Sequence, residues 1–98
     1  MLTTIEIWTR TKINIPWANE ACLNIGDLDY LHQTYELTGK RTRNTIISPD
    51  YLTMTRTITF LDQAAMDEFR TDPKVQEAKI RIDSYNERYK IIETIHGI

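Results

Sequence analysis

Cysteine occurs once among the 98 residues, as Cys22, so no internal disulfide can form. That fits a reducing setting, and the expected location is the cytoplasm, or a host's cytoplasm if the chain is viral. Glycine and proline occur three times each. That is too few for a glycine-rich phosphate loop or a low-complexity linker. No apolar run approaches the roughly 20 residues that cross a bilayer, so no membrane association is expected. The first ten residues lack a basic stretch and contain Glu6, which does not read as a secretory leader. Cys22, His32 and His96 match no zinc spacing, so no metal site is expected, and nothing calls for a cofactor. Neither sign of charge dominates: 12 Lys and Arg stand against 14 Asp and Glu. A broad basic face of the kind that holds nucleic acid is therefore missing. Valine is nearly missing too, with Val75 alone.

What the chain does have is threonine and isoleucine, 14 of each. With 41% hydrophobic and 27% charged residues it has the composition of a folded chain, and its length suits one domain, 1–98, with one modest core. Thr3 to Arg10 alternates as a half-buried strand, with Ile5 and Ile7 on one side and Glu6, Trp8 and Arg10 on the other. Pro16 ends any extension of it. Residues 16–26 are irregular, a length of loop that often covers a cavity. Asp27 to Thr38 reads as a helix with Asp27 as N-cap and Gly39 as stop, or else as a strand over Tyr30 to Leu37. Arg41 to Ile47 and Tyr51 to Phe60 form two strands around the turn Ser48-Pro49-Asp50. In the second of these, Leu52, Met54, Arg56, Ile58 and Phe60 share one side, and Thr53, Thr55, Thr57 and Thr59 the other. Asp62 opens a helix that breaks at Asp72-Pro73 and restarts with Asp72 as N-cap. Val75, Ala78, Ile82, Tyr85 and Tyr89 then make one apolar stripe. Tyr89 to Ile95 returns to extended chain.

The order strand, helix, strand, strand, helix, strand is that of the ferredoxin-like βαββαβ fold, an α+β class. It predicts a four-stranded antiparallel sheet with two helices on one face. Isoleucine is expected mainly at inward positions. The bare face is expected to carry Glu6, Trp8, the threonine row, Ile92 and Thr94. An uncovered face of this kind asks for a second surface, and two-fold self-association is the usual answer. The candidate dimer interface is Trp8, Thr53, Thr55, Thr57 and Thr59.

The order of elements, the run Tyr51-Leu52-Thr53 to Phe60 and the mid-helix Asp72-Pro73 resemble the dimeric α+β barrel superfamily, with its antibiotic-biosynthesis and haem-degrading monooxygenases. The resemblance covers most of the chain at the level of fold. In that superfamily a histidine often follows the Asp-Pro; here Lys74 and Val75 follow. The asparagine, tryptophan and histidine used by its haem-degrading members have no matching positions, so no catalytic residue carries over. The stretch Ser48 to Thr57 followed by Asp72-Pro73 is also similar to small uncharacterised proteins of tailed phages.

Two functions are weighed. The first is a small dimeric accessory or binding protein without catalytic chemistry, phage-encoded if the second resemblance reflects its origin, with a macromolecular partner met through loop 16–26 and the basic cluster Lys40, Arg41 and Arg43. The second is a cofactor-independent enzyme, monooxygenase-like or isomerase-like, acting on an aromatic small molecule. Arg56 is its main witness, because a guanidinium in an apolar row must find an anion. The plain alternative for Arg56 is a salt bridge to Glu93 or Glu36. Tyr35, Tyr85 and Trp17 are the other candidate lining residues. Single-stranded nucleic acid is not the expected ligand, since threonines stand where stacking aromatics would be needed.

Overall fold

Strand alternation sets the frame of the computed structural model, which describes residues 1–97. The strands are β1 (Leu2–Thr9), β2 (Arg41–Ile47), β3 (Thr53–Phe60) and β4 (Ile92–Gly97), in the order β2-β3-β1-β4, every neighbour antiparallel. Between β1 and β2 lie α1 (Ala18–Ala21) and α2 (Ile25–Leu31), the latter prolonged by a π-helical turn over His32–Glu36. Between β3 and β4 lie α3 (Gln63–Thr71) and α4 (Pro73–Tyr89). This is the ferredoxin-like α+β arrangement, with the second helix broken at Asp72-Pro73 as the sequence predicts, and with α1 and the π-helical turn added to the first crossover.

Local chemistry explains the pieces. Asn24 caps α2: its side chain accepts the Asp27 N–H at 2.8 Å, and Asp27 accepts the Asn24 N–H at 3.0 Å. Asp27 is thus the third helical residue of a capping box rather than the cap itself. The strand alternative for Tyr30 to Leu37 is overturned. The last turn there widens so that the Leu37 N–H reaches the His32 carbonyl, and Gly39, at φ +77°, turns the chain away. Asp72 is extended (φ −67°, ψ 120°), as its proline neighbour requires, and caps α4 by accepting the Lys74 N–H at 2.9 Å. Tyr30 and Tyr35 both donate their hydroxyls to the same carboxylate, which ties the first crossover to the α3–α4 corner.

The register assigns the two faces of the sheet. Leu2, Thr4, Glu6 and Trp8 stand opposite Phe60, Ile58, Arg56 and Met54. This face is covered by the helices. Its apolar residues form two clusters, one around Trp8, Met54, Trp17, Ala18 and Ile91, the other around Ile58, Phe60 and Met66. The Glu6–Arg56 pair lies between them. The other face carries Thr3, Ile5, Ile7, the four threonines of β3, and Ile46 and Ile92 from the flanking strands. Two expectations are therefore corrected. Trp8, 2% exposed, belongs to the core and not to the bare face, and Glu6 goes with it. Isoleucine is not mainly inward, since Ile5, Ile7, Ile46 and Ile92 share the threonine face.

Candidate functional site

The N-terminal part of α4 presents short side chains to the sheet, Val75 and Ala78, before Ile82. Space is left between that stretch and the Glu6–Arg56 rung. The result is a cavity of about 480 Å³, with Phe60, Phe69, Ile58 and Ile95 among its apolar walls. Asn19 and Leu23, from the irregular segment after β1, form part of its rim. That is the covering role the length of the segment suggested.

Four guanidiniums line this cavity, Arg41 and Arg43 from alternate positions of β2, Arg56 from β3 and Arg70 from α3, together with the ammonium of Lys79 from α4. Glu36, at the end of the π-helical turn, lies 3.8 Å from Arg41 and 3.1 Å from Arg43. Glu6 lies 3.4 Å from Arg56. Arg56 is thus paired, but with its cross-strand neighbour Glu6 rather than with Glu93 or Glu36. The Arg56 guanidinium carbon lies 5.3 Å over the Trp8 ring, and that of Arg41 4.7 Å over Phe69. Such stacking holds a guanidinium flat and leaves its in-plane N–H groups for other acceptors. Nε of Arg41 and Nε of Arg56 are both buried without a hydrogen-bond partner. Burial, with Arg56 and Arg43 adding to it, pushes Arg41 down to about 10, so it stays charged at neutral pH. Burial lowers Arg56 as well, against the opposing pull of Glu6. Glu93, also in the cavity wall, has its carboxyl raised by burial and then by nearby Glu6.

Of the four residues proposed from sequence to line a pocket, only Arg56 does. Trp17, 2% exposed, is a core residue with the Arg10 guanidinium 4.2 Å over its ring. Tyr35 is buried edge-on against Phe69 and spends its hydroxyl on Asp72. Tyr85 donates to the Pro16 carbonyl at 2.6 Å and stacks on Tyr89. The basic cluster does not form one exposed patch: Arg41 is buried, Arg43 is held by Glu36, and Lys40 pairs with Glu68 at 2.9 Å. Sequence reasoning missed Glu6 and the inward turn of Arg41 and Arg43, and it named Glu93 only as a salt-bridge partner for Arg56. The one available signal was parity, since Arg41 and Arg43 alternate and so must share a face. Among the described residues, no three His, Cys, Asp or Glu side chains gather as a metal site requires. No helix of the described residues is long and apolar enough to cross a membrane.

No protein-family model matches the chain, and no curated protein matches it. Among solved structures, Rv0793 from Mycobacterium tuberculosis is similar, with a TM-score of 0.61 at 13% identity over 98% of this chain and 93% of that one. A dimeric ferredoxin-like protein of unknown function from Jannaschia sp. CCS1 is similar too. Its TM-score is 0.61 at 16% identity, over 100% of this chain and 98% of that one. At such identities the likeness concerns the fold, and it agrees with the topology: the chain is a ferredoxin-like α+β protein.

Proposed function

We propose that this chain works as a homodimer and holds a small, largely apolar organic molecule between its sheet and α4. The observation that carries this reading is the cavity of about 480 Å³, apolar over most of its wall, with charged groups from the sheet, Arg41 and Arg56 among them, and from the helices, Arg70 and Lys79. That is the usual make-up of a small-molecule site. Self-association draws support from the uncovered face of threonines and isoleucines, and from the dimeric state of the similar Jannaschia protein. A macromolecular partner met through Lys40, Arg41 and Arg43 draws less support, because Glu68 and Glu36 hold Lys40 and Arg43, and Arg41 is buried.

The test uses the indole N–H signals of the two tryptophans in proton–nitrogen spectra of labelled protein. Trp8 lines the cavity and Trp17 does not. Naphthalene-sized compounds are expected to shift the Trp8 signal and leave that of Trp17 in place. If no such compound moves Trp8 at millimolar concentration, the reading is wrong.

One observation favours an isomerase-like enzyme within this reading. Glu93, a carboxylate with a raised pKa, shares the cavity with guanidiniums. A carboxylate of that kind accepts a proton from carbon beside a carbonyl, while the electron pair moves onto an oxygen that a guanidinium stabilises. Returning the proton to a different carbon completes an isomerisation with no oxidant. Glu93→Gln is then expected to abolish turnover while retaining ligand binding.

A further inference from the structure

On the sheet side of the cavity the guanidiniums of Arg41, Arg43 and Arg56 have two salt-bridge carboxylates between them, with Glu93 a further carboxylate in the wall. Glu36 serves both Arg41 and Arg43, and Glu6 serves Arg56. The pairs of Arg41 and Arg56 are also loose, while that of Arg43 is close, at 3.1 Å. The contacts of Arg41 and Arg56 are 3.8 and 3.4 Å, and the carboxylate atoms involved, Glu36 Oε1 and Glu6 Oε1, have no hydrogen-bond partner. Both arginine side chains are more than nine-tenths buried, at 5% and 9% exposure. Each keeps a buried Nε–H without an acceptor. Buried cations that are under-paired and donors that are unmet cost stability in the empty protein. A planar oxyanion satisfies both at once, since guanidinium and carboxylate match edge to edge.

Resting on the reading of this cavity as a ligand site, we propose that its ligand is an organic acid. Its carboxylate faces Arg41 and Arg56, and its apolar ring body lies against Ile58, Phe60, Ala78 and Ile82. Body and head are separable in this arrangement. The apolar residues named here come from β3 and α4, with Phe69 of α3 and Ile95 of β4 completing the wall, and Arg41 and Arg56 come from β2 and β3.

The experiment compares two isosteres on the unaltered chain, 2-naphthoate and its neutral amide, 2-naphthamide. Both are titrated against the Trp8 indole signal, with Trp17 as the internal reference. Naphthoate is expected to bind about tenfold or more tightly than the amide, the scale of a charge-assisted hydrogen bond in a buried site. In Arg56→Met and Arg41→Met, whichever retains native signal dispersion, the two compounds are expected to come within about twofold of each other. Equal or tighter binding of the amide by the unaltered chain overturns the organic-acid assignment and leaves the cavity reading standing. If neither compound moves Trp8, both readings fail together. The isostere comparison needs no substitution, so an unfolded variant does not weaken it.

Discussion

Asp72 holds three separate parts of the molecule with one carboxylate. It caps α4 and accepts the hydroxyls of Tyr30 and Tyr35. Burial alone would raise its carboxyl, but the two tyrosines and the amides of Lys74 and Val75 outweigh burial and hold it below the ordinary value. A carboxyl lowered in the folded state stabilises fully above its unfolded pKa, and the contribution drains away as pH falls through the folded value. Asp72→Ala is therefore expected to cost about 2 kcal/mol near neutral pH, combining a lost cap with lost hydrogen bonds, and progressively less in acid. Urea unfolding at several pH values measures this. Tyr35→Phe, read the same way, is expected to cost about 1 kcal/mol. Glu93 has the opposite sign. Its raised carboxyl favours the folded state most at low pH, and the benefit falls as pH rises through the folded value. Glu93→Gln is expected to raise the urea midpoint above that window and to leave it unchanged below. The Asp72-Pro73 break and its cap were legible in the sequence, because proline chemistry is local. The two tyrosine partners were not, since they come from residues about 40 positions earlier.

At the scale of elements, β3 was the easiest to read, because its alternation of threonine with larger side chains is nearly strict. Alternation assigns residues to two faces, however, and not the faces to inside and outside. Both rows of β1 contain apolar residues, Ile5 and Ile7 in one and Trp8 in the other. Only the pairing of Glu6 with Arg56 and of Trp8 with Met54 decides between them. A strand read alone does not carry that register, and the mistaken placement of Trp8 follows from it. The π-helical end of the first crossover was equally hidden, since no residue type marks the place where a turn takes in an extra residue. At the end of α4, Lys90 takes up a left-handed conformation, φ 58°, where a side chain is strained. Lys90→Gly is expected to stabilise the chain by roughly 0.5–1 kcal/mol, seen as a rise in thermal midpoint with the circular dichroism spectrum unchanged.

At the scale of the whole molecule, the fold class was legible because element order constrains topology strongly. The cavity was not, because β2, β3, α4 and the loop after β1 all contribute to it. The face opposite the cavity has Thr55 beside Ile7 and Ile46 near its centre. A charge there would be buried in the proposed dimer and solvated in a free subunit. Thr55→Arg is thus expected to convert a sedimenting dimer into a monomer, with the circular dichroism spectrum preserved. A monomeric parent chain at micromolar concentration would refute the dimer.

The division of the core into two clusters has a consequence for how the molecule comes apart. Apolar contact is what couples one part of a small domain to another, and a charged rung between two clusters interrupts it. The end built on Trp8, Met54 and Ile91 and the end built on Ile58, Phe60 and Met66 are then free to open in separate steps. Backbone amides near Trp8 and near Phe60 are expected to exchange with deuterium through two distinct openings of unequal free energy. A ligand bridging the rung would merge them into one, so exchange kinetics would register its arrival as a gain in cooperativity.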